Sequence, residues 1–75
     1  MNKLQKILDA LMDEDLKAGI LEIKELRDKG SLKDGGIVRS LALTIREEVQ
    51  ISYHDALSIA ESKIMERAAF KWAAL

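Results

Sequence analysis

The segment Asp28–Gly36, DKGSLKDGG, holds three of the chain's four glycines, and no other stretch of the 75 residues gathers turn-forming residues in this way. Glycine clusters punctuate regular structure because glycine enters left-handed backbone conformations without steric cost. On both sides of the cluster, apolar residues recur every three or four positions, the spacing of one helix face. No stretch alternates with the period of two that a half-buried strand requires. The sequence therefore predicts a small all-α bundle of about four short helices in one domain, residues 1–75. A helical hairpin over 1–29 is followed by a glycine-rich loop over 30–36 and a second hairpin over 37–75.

Before the loop, Leu4, Ile7, Leu8 and Leu11 line one face of a helix of about three turns. Asp13, Glu14 and Asp15 follow. Acids there can accept the orphan N–H groups that open a helix and suit the positive end of its dipole, so they read as a cap and a break, with a single bent helix as the alternative. A second helix presents Leu16, Ile20, Ile23 and Leu26, and Gly30 sits where a left-handed C-terminal cap is wanted. Gly19 inside this helix costs about 1 kcal/mol relative to alanine, which points to close approach by a neighbouring helix.

After the loop, Ile37, Val38, Leu41, Ile45 and Val49 mark a third helix, opened by Asp34 or the glycines. Ser52 followed by Asp55 is a capping-box pattern, S-x-x-D, and starts the fourth and longest helix, from about Tyr53 to Lys71 or beyond. Its expected core stripe is Tyr53, Leu57, Ala60, Ile64, Ala68 and Trp72.

The charge balance narrows the function. Twelve basic and thirteen acidic residues give a net charge of −1, divided as seven and eight over residues 1–37 and five and five over 38–75. No basic half exists to track phosphates. The composition, 48% hydrophobic and 33% charged, is that of a folded chain. No run approaches the roughly 18 apolar residues of a membrane span. MNKLQKILDALMDED lacks the apolar core of a secretory signal, and cysteine is absent, so a cytoplasmic setting is the expectation.

Candidate chemistry is sparse. His54 is the one histidine, and its neighbour Asp55 does not face it along a regular helix, so no catalytic constellation is expected. A calcium loop starting at Asp13 needs glycine at its sixth position and glutamate at its twelfth, where Ala18 and Lys24 stand. The run from Gly30 to Gly35 has the glycine spacing of a phosphate loop, but Gly36 and Ile37 replace the lysine and the serine or threonine that should follow. A modest anion site at the start of the third helix, assisted by Lys33, is all that remains. No cofactor, metal or enzymatic activity is expected.

The C-terminus AAFKWAAL, residues 68–75, is apolar except for Lys71. A helix apolar on all sides normally buries all sides, and a chain of this size has little core to offer. Part of the tail therefore either closes the chain's own core or mates with another protein. The expected anchors are Phe70, Trp72 and Leu75, with Met65 and Ala69 beside them. This leads to a non-enzymatic protein–protein interaction module, an adaptor, inhibitor or regulatory subunit, self-associating as a homodimer through its last helix.

The rival expectation is a DNA-binding regulator. Residues 37–63 have a helix-turn-helix outline, with Ser52, Tyr53 and His54 leading the second helix and Arg39, Arg46 and Lys63 near phosphates. Against it stand Glu47, Glu48, Asp55, Glu61 and Glu66 on the same two helices.

Overall fold

A computed structural model of the chain describes residues 3–30 and 35–73. It contains helices α1 (Lys3–Ala10), α2 (Asp13–Lys29), α3 (Ile37–Val49) and α4 (Tyr53–Ala73), with no strand among the described residues. None of these helices is long and apolar enough to cross a membrane.

Helix ends follow from local chemistry. The break between α1 and α2 is a true one: Met12 is extended (φ −96°, ψ 170°), and its N–H donates to the Asp15 carboxylate at 2.9 Å. Gly30 ends α2 in the left-handed region (φ 76°), its N–H donating to the Leu26 carbonyl at 2.7 Å. Gln50 takes the same conformation at the end of α3 (φ 57°) and donates to the Arg46 carbonyl. Ser52 opens α4 by accepting the Asp55 N–H on its hydroxyl at 3.1 Å.

The start of α3 follows the glycine alternative of the two the sequence offered. Asp34 and Lys33 lie outside the described residues, and Gly36 is the N-cap, with no side chain to offer. The carboxylate of Glu22, from α2, supplies what is missing. Its two oxygens accept the N–H groups of Ile37 at 3.2 Å and Val38 at 3.0 Å. The anion expected at this helix end is thus one of the protein's own side chains.

One buried cluster joins all four helices. Leu8 comes from α1 with Leu11 just beyond it, Leu16 and Ile23 from α2, Val38, Leu41, Ala42 and Ile45 from α3, and Ala56, Ala60, Ile64 and Ala68 from α4. The buried face of α4 is thus mostly alanine, and small side chains let helices approach. Gly19 does the same on α2: a Cβ there would stand 3.2 Å from Ile64 Cγ2. Two expected core positions move outward. Trp72 is at the rim, and Val49, at the last turn of α3, is exposed.

The pairing inside residues 1–29 is not hairpin-like. Helix α1 packs on α3 and α4 rather than on α2, because the extended Met12 redirects the chain between them and carries the apolar face of α1 across the second half. Its first N–H, on Lys3, donates to Glu48 near the end of α3, so α1 and α3 run antiparallel. Contacts of Asp9 with Arg67 and of Leu11 with Lys71 show that α1 and α4 run parallel. The result is a slab of 35 × 34 × 17 Å. Two layers of helix fill that thickness, so each helix keeps a wide wet side.

Candidate functional site

The exposed apolar side chains of α4 are Met65, Phe70 and Trp72. At about 100° per residue, the expected anchors divide between two flanks of the helix. Met65, Ala69 and Trp72 share one flank within an arc of about 60°, whereas Phe70 points about 160° away from Trp72. Trp72 is 37% exposed and Phe70 69%. Ala69 is exposed as well, and Leu75 lies outside the described residues. These residues do not form one patch.

Phe70 stands on the seam between α1 and α4. Beside it is a cleft of about 210 Å³ with Leu8 and Gln5 on the α1 side and Lys63, Glu66 and Arg67 on the α4 side. The Arg67 guanidinium lies 5.9 Å from the centre of the Phe70 ring and 3.7 Å from the Asp9 carboxylate. One turn on, Lys71 Nζ donates to the Leu11 carbonyl at 2.9 Å and stands 4.0 Å from Asp13. It satisfies a carbonyl that the end of α1 leaves open and approaches an acid in the first turn of α2. The last turns of α4 are thus fastened to α1 on both sides of Phe70. Arg67 and Lys71 were not legible as seam residues, since nothing local in the sequence pairs them with positions about 60 residues earlier.

The six residues of the nucleic-acid reading also separate. Arg39 and Arg46, two turns apart on α3, lie 5.8 and 5.9 Å from the centre of the Tyr53 ring, so these three form a cluster of stacked cations and an aromatic. Ser52 uses its hydroxyl as the cap of α4. His54 is exposed, and its Nδ1 is 3.9 Å from the carboxylate of its likewise solvated neighbour Asp55, too far for a hydrogen bond. Lys63 lies nine residues beyond His54 along α4, on the Phe70 cleft.

Among the described residues, no group of three or more histidine, aspartate and glutamate side chains is arranged to hold a metal ion. The chain matches no protein-family model, no curated protein and no solved structure, so its functional reading rests on this geometry.

Proposed function

We propose that this chain is a small, non-enzymatic protein–protein interaction module that self-associates through the end of α4. The observation that carries the reading is Phe70: an aromatic ring 69% exposed on a helix held to its neighbour at Arg67 and Lys71. A helix already held in place orders no further backbone on docking, so the cost of seating Phe70 is confined to its own side chain. The neighbouring cleft has the edge of buried Leu8 in its lining and charged groups at its rim, so Phe70 supplies most of the apolar surface and the charges the selectivity. Roles as an adaptor, inhibitor or regulatory subunit all use such a surface, and a cysteine-free chain suits the cytoplasm.

The test is sedimentation equilibrium of the wild-type chain and of Phe70→Ser, with helical content followed by circular dichroism. The reading expects a wild-type dimer and a variant that remains helical but sediments as a monomer. A wild-type chain that is monomeric at high micromolar concentration overturns self-association.

A second reading, DNA binding, is favoured by one feature, the cluster of Arg39, Arg46 and Tyr53 at the start of α4. It predicts salt-sensitive retardation of random duplex DNA, weakened by Arg46→Glu. Unaltered DNA mobility at low salt removes it.

A further inference from the structure

Two side chains hold open the break between α1 and α2. The Met12 N–H donates to the Asp15 carboxylate at 2.9 Å, and the Leu11 carbonyl accepts from Lys71 Nζ at 2.9 Å. In an uninterrupted helix the same two groups would pair with the backbone, the Met12 N–H with the Leu8 carbonyl and the Leu11 carbonyl with the Asp15 N–H. Neither glycine nor proline stands between Leu8 and Lys17. The backbone itself therefore does not impose the break. Asp15 and Lys71 impose it, helped by the acids that suit the first turn of α2.

The seat of α1 is shallow. The helix buries Leu8, with Leu4 and Ile7 only partly covered. A cleft flanks it on each side, about 210 Å³ against α4 at Arg67 and about 300 Å³ against α3 at Ser40. If Met12 turned helical, α1 and α2 would join into one helix about 40 Å long, longer than the 35 Å extent of the molecule. Around that helix Leu8 would stand about 80° from Leu16, and Leu11 about 140°. The apolar face of α1 would then leave its own α3 and α4. The seat it vacates already fits one occupant, the α1 of another copy.

We propose that α1 is an exchangeable arm: two copies each straighten at Met12 and seat α1 on the α3 and α4 of the other. The burial of Leu8, the Lys3 N–H bond to Glu48 and the Asp9 pairing with Arg67 are each remade between chains, twice. The hinge bonds of Asp15 and Lys71 are exchanged for backbone ones. Met12 is 64% exposed, so straightening the hinge pulls no side chain of its own out of the core. This exchange makes no use of Phe70 and is separate from association through it.

The experiment is therefore done in the Phe70→Ser background, by sedimentation equilibrium with circular dichroism. Asp15→Ala frees the Met12 N–H and should tighten dimerisation at least about tenfold, since the hydrogen bond to a charged group is lost from both monomers and from neither side of the exchanged dimer. Lys71→Gln, which releases the Leu11 carbonyl, should act in the same direction and serves if Asp15→Ala does not fold. Asp13→Pro is the opposing variant. Asp13 opens α2 behind an extended Met12 (ψ 170°), where proline is at home. In the joined helix the ring would strike the Asp9 carbonyl. Adding Asp13→Pro should weaken the dimer at least about a hundredfold, whereas Asp13→Ala, which also loses the carboxylate near Lys71, should leave it intact. Folded Asp15→Ala and Lys71→Gln chains that stay monomeric at millimolar concentration overturn the exchange, and so does a dimer indifferent to Asp13→Pro. Neither result bears on association through Phe70, which is absent from this background.

Discussion

The carboxylate of Glu22 occupies the space that a side chain at Gly36 would need. A Cβ built on Gly36 would stand 2.7 Å from Glu22 Cδ, well inside van der Waals contact. The backbone at Gly36 (φ −77°, ψ 167°) is open to any residue, so glycine is required here for room and not for conformation. The arrangement joins α2 to α3 by a charge-assisted cap at a helix N-terminus, where a carboxylate also meets the positive end of the dipole.

Gly36→Ala should therefore push Glu22 out of the cap and cost about 2 kcal/mol, the scale for losing hydrogen bonds to a charged group. Glu22→Ala should cost a similar amount. The two should not add, since once Glu22 is gone the alanine methyl meets nothing. Urea unfolding of both single variants and the double one measures the coupling. Additive losses would mean that the carboxylate does not cap α3.

Gly19 has the opposite logic, because its neighbour is the side chain of Ile64, itself fully buried. In an open helix, Gly→Ala is worth about 1 kcal/mol of added stability. Here the new methyl meets Ile64 Cγ2 at 3.2 Å and Cδ1 at 3.3 Å. A β-branched residue packed on all sides has no alternative rotamer to take, so Gly19→Ala should destabilise by about 1 kcal/mol. Gly19→Ala with Ile64→Val should cost less than the sum of its parts, because Cδ1 is removed. A thermal melt in which Gly19→Ala alone is stabilising would show that α2 and α4 can separate freely.

Gln50 is the one non-glycine residue among those described with positive φ. A side chain in the left-handed region costs about 1–2 kcal/mol, part of which glycine returns as greater freedom in the unfolded chain. Gln50→Gly should raise stability by about 0.5–1 kcal/mol, seen as a melting temperature several degrees higher. A lower melting temperature would show that the Gln50 side chain makes a contact worth more than the strain.

The extent to which the sequence announced this structure follows the range of the interactions. Gly30, Ser52 and the periodic faces of α2 and α3 act within one or two helical turns, and their residue types specify their geometry. Gly19 signalled a close approach but not its partner. The Glu22 cap, the Lys3 link to Glu48 and the Arg67 and Lys71 ties to α1 span 15 to 60 residues, and any exposed charge would look the same in the sequence. The α4 face was read correctly at Ala60, Ile64 and Ala68, but buried Ala56 carries little hydrophobic signal and was missed, and Trp72 drew the stripe outward. Of the candidate site, the surplus apolar surface at the C-terminus was visible. Its division between two flanks follows from helical periodicity, whereas the meeting of the Phe70 flank with α1 required the structure.

Two substitutions on α4 separate its inner face from its outer one. Ala60 is fully buried, and a leucine there must displace neighbours or force α4 away from the core. Overpacking of this kind costs about 1–3 kcal/mol, a large share of the few kcal/mol available to a core of this size. Ala60→Leu should therefore lose cooperative unfolding or melt far below wild type. Phe70→Ser removes a ring whose surroundings are mostly water, so at concentrations where the chain is monomeric its stability should stay within about 0.5 kcal/mol of wild type. At concentrations where the chain is dimeric, wild type should gain in melting temperature over Phe70→Ser, because binding to the folded state alone raises stability by mass action. A Phe70→Ser variant that unfolds as readily as Ala60→Leu at high dilution would place the ring in the monomer's core.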